Sequence, residues 1–358
     1  MAFSFASLFA PEQKSALGVD IGTSSIKLVQ LRKDKGTVVL ETYGAVALGP
    51  YAGSEIGRAT SLPAEKVAEA LKDLIREANV TTQNAALSIP YSSSLISILR
   101  LPAVVQKQLA QVIPLEARKY IPVPINEVQL DWFVIGPDKK DPSKIEVLLV
   151  VIHNDTIQKF RTIASEAGLN VSFFEIEVFS AVRAALDRGI VPVAVVDLGA
   201  ATTKFYVVER GLIHESHIIN HGSQDLTLAV SRALGISVSK AEEYKRKVGL
   251  TGISEMATTE DLKKSIELSL MPLFSEIART AAAYESRTNQ SLSALVFTGG
   301  GTDIRGLKEF AQSKIQNEVR MSDPFSKIRV PAFLQKGFEE AGPEFTVAIG
   351  LALRLLQN

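Results

Sequence analysis

The octet Asp20-Ile21-Gly22-Thr23-Ser24-Ser25-Ile26-Lys27 returns, kind for kind, as Asp197-Leu198-Gly199-Ala200-Ala201-Thr202-Thr203-Lys204. Each copy follows a short apolar run, 16–19 and 193–196, and leads into alternating residues that read as a second strand. Each is therefore a tight turn between two strands. One Asp-x-Gly marks many ordinary turns, but two copies in register demand a duplicated architecture of two equivalent half-molecules.

The residue types in the repeat suit phosphate chemistry. An Asp at a strand end offers a hard oxygen to magnesium, usually through the ion's own waters. Gly22 and Gly199 allow the backbone to turn and approach a ligand closely, so that the NH groups behind them and the hydroxyls of Thr23, Ser24, Ser25, Thr202 and Thr203 can face phosphate oxygens. Lys27 and Lys204 add positive charge. A third element runs from an apolar strand, 293–297, into Thr298-Gly299-Gly300-Gly301-Thr302-Asp303 and then an amphipathic helix over 304–315. Its glycines let a flat nucleoside lie against the backbone, and Thr302 or Asp303 can cap the helix. A triple glycine alone serves equally well as a helix-packing loop.

In the order phosphate turn, phosphate turn, glycine turn, the chain resembles the actin and heat-shock chaperone ATPase superfamily. That resemblance implies an α/β, actin-like two-lobed ATPase fold of duplicated ribonuclease-H-like lobes closing on ATP and Mg2+. Asp20 and Asp197 would then stand on the metal side of the nucleotide, and Gly299, Gly300, Gly301 and Thr302 on the nucleoside side.

Between the two phosphate turns the chain is longer than one half-lobe requires. Strand pairing over 17–46 is followed by a loose Gly- and Ser-rich stretch, 49–61, a helix over 64–78 and a strand over 85–89. From Ser92 to Asn170 the pattern becomes strand 95–101, helix 103–120, strands 128–135 and 145–152, and helix 156–167. These alternations predict an inserted α+β subdomain of one sheet with two helices, with Trp132 and Phe133 in its core. Pro114 should kink the first helix, and Pro122 and Pro124 force an extended exit from it. Leu115-Glu116-Ala117-Arg118-Lys119-Tyr120-Ile121-Pro122-Val123-Pro124-Ile125-Asn126-Glu127-Val128 closely resembles the type IV pilus assembly protein PilM family, cytoplasmic relatives of the division protein FtsA. The likeness runs over 17–356.

Read with that resemblance, residues 1–16 form a flexible start, 17–91 the first lobe, 92–170 the inserted subdomain, 171–190 the return and inter-lobe helix, 191–340 the second lobe with a helical part at about 223–290, and 341–358 a C-terminal helix returning to the first lobe. Phe5, Leu8 and Phe9 share a face if the start is helical; a frayed terminus is the simpler expectation. In the second lobe, 241–249 matches the family helix whose acid and base, three residues apart, reach ribose and adenine. Glu242 and Lys245 hold those positions here, although an exposed salt-bridged face has the same spacing. Gly222 belongs to the floor of that lobe, where His221-Gly222-Ser223 replaces the paired glycines of relatives. The helix joining the lobes carries Glu177 at the position from which the superfamily orients water for hydrolysis, and the helix dipole explains a Glu there equally well. Slow or absent turnover fits everything in the sequence.

Composition narrows the function classes. Lys plus Arg and Asp plus Glu balance at 39 each, which leaves no basic field for nucleic acid or anionic lipid. The absence of cysteine excludes disulfides and thiol chemistry. His214, His217 and His221 have metal-like spacing, but on a strand residues three apart face opposite ways. The resemblance implies an ATP-binding scaffold of type IV pilus assembly that docks the cytoplasmic N-terminal tail of a PilN-like inner-membrane protein and so sits at the inner membrane through its partner. Pilus motor ATPases and further copies of the chain are additional partners under that reading. An FtsA-like division or filament protein is the alternative, although FtsA-type chains usually continue into a membrane-binding helix. A small-molecule kinase would need a substrate base that only Glu177 could supply.

Overall fold

A computed structural model describes residues 15–138, 141–187, 189–251 and 259–357. The expected apolar segment over 1–10 lies outside these residues. Strands β1 (Ser15–Ile21), β2 (Ser25–Asp34) and β3 (Thr37–Ala47) form an antiparallel meander, and α1 (Ala64–Glu77) leads to β4 (Asn84–Ile89), parallel to β1. The chain then builds β5 (Ser94–Pro102), α2 (Leu109–Ala117), β6 (Val128–Pro137) and β7 (Lys144–His153), whose strands pair antiparallel in the order β5-β7-β6. Helix α3 (Asn154–Glu166) and β8 (Asn170–Ile176) return to complete a sheet ordered β3-β2-β1-β4-β8, and α4 (Glu177–Ala185) follows.

The second half repeats this plan. Strands β9 (Val193–Leu198), β10 (Thr203–Glu209) and β11 (Leu212–Ile219) form the meander, and α5 (Ser223–Leu234), α6 (Val238–Lys247) and α7 (Thr259–Thr288) precede β12 (Leu295–Thr298). After α8 (Leu307–Lys314) and β13 (Val319–Met321), the sheet order is β11-β10-β9-β12-β13, with the same sequence of antiparallel and parallel pairs as the first sheet. Helices α9 (Gln335–Ala341) and α10 (Thr346–Leu355) end the chain.

Apolar periodicity fixes which faces meet. Leu17 and Val19 of β1 are buried with Val67, Leu71 and Leu74 of α1 on one face of the first sheet. Each such side chain contributes roughly 1.5–3 kcal/mol by leaving water. On the other face α10 lies directly on β1, so close that a Cβ on Gly18 would stand 1.9 Å from the Ala348 carbonyl oxygen. A Cβ on Gly350 would stand 2.0 Å from the Ser180 carbonyl oxygen, which sets the crossing of α10 on α4. Ala16, Val178, Val195, Tyr206, Val347 and Leu351 share one cluster, so α4 and α10 are packed between the two sheets.

Three local expectations differ from the structure. The helix pattern over 103–120 divides into a 3-10 segment, Ala103–Gln108, and α2, which runs through Pro114 and ends at Ala117. The helix expected at 156–167 within the insert instead buries Phe160, Ile163 and Ala164 in the first-lobe core beside Leu71 and Leu87, leaving α2 as the insert's one α-helix among the described residues. Its apolar stripe has the right period for either sheet, and only the tertiary path decides. Trp132 packs partly against the insert core, whereas Phe133 is 58% exposed, as strand alternation requires of neighbours. No helix among the described residues is long and apolar enough to cross a membrane.

Candidate functional site

The two repeated octets become two hairpin turns of equal size. Asp20 pairs across its hairpin with Lys27, and Asp197 with Lys204, which explains why aspartate and lysine recur at a fixed separation. Four residues close each turn, with Gly22 N donating to Ser25 O at 3.0 Å and Gly199 N to Thr202 O at 3.1 Å. A Cβ at Gly22 or Gly199 would approach those same carbonyl oxygens to 3.1 and 2.8 Å, so glycine is what allows the turns to be this tight. Both turns face one cleft, whose opposite wall includes Thr298, Gly299, Gly300 and Gly301.

The cleft floor concentrates charge. Ser88 Oγ donates to Asp20 Oδ1 at 2.8 Å while accepting from Ile21 N at 3.1 Å. Lys27 is buried and donates to Ser25 Oγ at 2.9 Å. Lys204 Nζ lies 3.0 Å from Glu177 Oε2 and 3.2 Å from Asp197 Oδ2, and Tyr91 N donates to Glu177 Oε1 at 2.7 Å. Burial pushes the Asp20 carboxyl above the usual carboxylate range, against the pull of Lys27 and Ser88. Burial alone would lower Lys204, but Asp197 and Glu177 together raise its pKa and keep it charged. Burial likewise raises the Glu177 carboxyl, against the pull of Lys204, so three carboxyl groups and two ammonium groups share the floor.

The glycine turn is held by the end of the chain. Gly299 has φ +91°, and a Cβ there would lie 2.3 Å from Asp197 Oδ1 and 2.7 Å from Leu198 O. Gly299 N donates to Pro343 O at 3.0 Å, and Thr298 Oγ1 donates to Thr346 Oγ1 at 2.7 Å. The turn is therefore clamped between the second hairpin turn and the start of α10. Lys27 reaches it from the other lobe: a Cβ on Gly300 would be 3.4 Å from Lys27 Nζ.

Farther up the cleft, Glu242 is buried and fully engaged. Its Oε2 accepts from Thr227 Oγ1 and Lys245 Nζ, both at 2.6 Å, and its Oε1 accepts from Arg246 Nε at 2.8 Å. Burial would raise its pKa, but the cations Lys245 and Arg246 hold it at about 2. Arg246 also pairs with Asp303 at 2.9 Å.

Of the residues selected from sequence, Asp20, Gly22, Thr23, Ser24, Ser25, Lys27, Glu177, Asp197, Gly199, Thr202, Glu242, Gly299, Gly300 and Gly301 line this one cleft. Four others stand behind its wall. Lys245 lies under Glu242 and is 2% exposed. Thr203 Oγ1 donates to His221 O at 2.8 Å, Thr302 Oγ1 to Gly299 O at 2.7 Å, and Gly222 packs against Ala200, whose carbonyl oxygen a Cβ would meet at 2.2 Å. Sequence reasoning missed Ser88, Gly57, Arg246 and Glu344. Arg246 alone had a signal, since it follows Lys245 on the same helix face as Glu242, four residues before it.

The family model of the type IV pilus assembly protein PilM matches residues 18–356. Among solved structures, the chain is similar to one in a PilM–PilN type IV pilus biogenesis complex, with TM-score 0.79 and 23% identity over 96% of this chain and 99% of that one. It is also similar to MreB5 of Spiroplasma citri bound to AMPPNP, with TM-score 0.52 and 12% identity over 95% of each chain. Among curated proteins, cell division protein FtsA of Bacillus subtilis (strain 168) is 20% identical over 361 residues, covering 89% of this chain and 81% of FtsA. The fold is that of the actin-like ATPases.

Proposed function

Because the chain belongs to the type IV pilus assembly protein PilM family, we propose that it is an ATP-binding scaffold of pilus assembly which docks the cytoplasmic tail of a PilN-like inner-membrane protein. The observation that carries the nucleotide half of this reading is the convergence of both phosphate turns and the glycine turn on one cleft. Magnesium suits its floor, which offers the hard carboxyl oxygens of Asp20 and Asp197; these would hold the ion, and the ion would neutralise phosphate charge when bound. Lys27, the turn NH groups and the hydroxyls of Thr23, Ser24, Ser25 and Thr202 bind phosphate oxygens. The nucleoside lies along Gly299–Gly301, with Glu242 below it and Lys245 acting through Glu242. Glu177 is the group that would orient a water, and its engagement by Lys204 and Tyr91 N favours slow turnover or none.

The partner half rests on the inserted unit. Its core faces α2; on the opposite sheet face Ile96 and Val150 pack partly against the core between the lobes, and Ile98 is half-buried with Phe133 exposed. β8 is the terminal strand of the neighbouring sheet and among the described strands pairs with β4 alone, so an extended tail could add to its edge beside the cavity lined by Leu169, Val171, Phe173 and Phe174. The similarity to the chain in the PilM–PilN complex supports a PilN-like tail as that occupant, and a soluble scaffold would thereby be held at the inner membrane. Motor contact and self-association belong to the same proposal.

Titration calorimetry tests both halves. ATP with magnesium should bind, Asp197→Asn should remove the magnesium-dependent part, and Lys27→Ala should weaken binding. A tail peptide of Asn, Leu and Pro character should bind in roughly the micromolar range. Removing 94–153 with a short linker should abolish peptide binding and keep ATP binding; this cut spares α3, which the first-lobe core needs. Peptide binding by neither protein, or equally by both, would favour the FtsA-like alternative, and unchanged ATP affinity in both point variants would remove the nucleotide site.

A further inference from the structure

Residues 49–63 join β3 to α1, and their loose composition marks them as a simple connection. In the structure they are tied to phosphate turn one near both ends. Leu48 N donates to Ser24 O at 2.8 Å, while Thr60 N and Oγ1 donate to Thr23 O at 2.8 and 3.1 Å. Between these pins the segment is stiffened by a 3-10 turn, Pro50–Ala52, and by Ser54 N donating to Gly49 O at 2.8 Å.

Its middle reaches the other lobe at three points. Glu55 Oε2 accepts from Ser239 N, in the first turn of α6, at 3.0 Å, where the helix dipole favours a carboxylate. Ala59 N donates to Gln224 Oε1 of α5 at 3.0 Å. Gly57, with φ +95°, lies so close to α6 that a Cβ would stand 3.0 Å from Glu242 Cβ and 3.2 Å from Thr227 Cγ2. Gly57 also lines the cleft. A connection serving only its own lobe would satisfy these groups locally. This one spans from the turn that would grip phosphate to the helix that would floor the nucleoside.

We propose that residues 53–60 form a clasp across the cleft mouth, joined to phosphate turn one and setting how fast nucleotide enters and leaves. The proposal rests on the nucleotide-site reading above and adds its regulation. The lobes also meet at the cleft base, where Lys204 of β10 binds Glu177 and Val195 and Tyr206 of the second sheet pack with α4 and α10, so opening pivots there and breaks the clasp first. Two hydrogen bonds of ordinary net strength bias an open–closed equilibrium by roughly ten- to a hundredfold. Such a bias retains ligand without trapping it. Because both pins fall on Thr23 and Ser24, a shift of phosphate turn one on ligand binding moves the clasp directly.

The test uses the full chain and a fluorescent mant-ATP with magnesium, chased by excess ATP. The double variant Glu55→Ala/Gln224→Ala, and separately Gly57→Ala, should release the probe about tenfold faster than the parent. The chain has no cysteine, so dyes placed by Lys72→Cys on α1 and Arg232→Cys on α5, both exposed positions, report lobe separation without nucleotide. That distance should lengthen in the double variant. Release within twofold of the parent, with an unchanged distance, would overturn the clasp. If the parent binds no nucleotide the site reading fails, and the distance alone then decides: a longer one retains the clasp and an unchanged one removes it.

Discussion

Glu242→Gln should destabilise the protein by about 3–5 kcal/mol, because it leaves Lys245 buried without its counter-ion. A second route gives a similar size. A carboxyl held at about 2 in the folded protein, against roughly 4.3 in a free chain, contributes about 3 kcal/mol at neutral pH. The sign follows from the depressed value: this contribution is complete above the free-chain pKa and disappears as pH falls from roughly 4.3 towards 2. Urea unfolding followed by circular dichroism at pH 7, and again at pH 3, measures both routes. Glu242→Gln should lose stability at pH 7 and should show a shallower acid dependence than the parent. Pairing Glu242→Leu with Lys245→Met should restore most of the loss, since it removes both charges together. A loss under about 1 kcal/mol for Glu242→Gln, with the parent's acid dependence intact, would show that the buried ion pair does not hold α6 against α5.

Gly299→Ala should weaken ATP binding by an order of magnitude or more in calorimetry, since its Cβ would displace Asp197 Oδ1 and the residue must keep φ +91°. Glu177→Ala should retain ATP and lose whatever phosphate release the parent shows in a single-turnover assay; release equal to the parent's would remove Glu177 from any water-orienting role. Gly350→Ala should cost about 1–3 kcal/mol or more in urea unfolding, because its Cβ would meet the Ser180 carbonyl oxygen at 2.0 Å and force α4 and α10 apart.

Much of the scaffold was legible because it is written twice. The repeated turn, strand alternation and glycine signals are local properties, and the two sheets reproduce one another strand for strand. The allotment of α3 was not legible. Its buried stripe of Ile157, Phe160, Ile163 and Ala164 would suit any sheet, and it joins the first lobe only because β8 must come back beside β4. Phe133 lies outside the insert core for a different reason: two adjacent aromatics on a strand cannot share a face, so with Trp132 turned inward Phe133 faces out.

The site divides along the same line. Residues of the turns could be named from sequence because a turn's chemistry lies in consecutive positions, whereas Ser88 and Gly57 enter through contacts between distant segments. The duplication itself also misleads about charge. Lys27 and Lys204 occupy identical register positions opposite their aspartates, yet Lys204 is held between Glu177 and Asp197 while Lys27 donates to Ser25 and extends towards Gly300. The cause is α4, which follows β8 and brings Glu177 into the cleft beside the second turn. Two equivalent hairpins therefore become unequal once one linking helix is added between them: one lysine is committed to the carboxyl groups of the floor, and the other reaches across the cleft to the glycine turn.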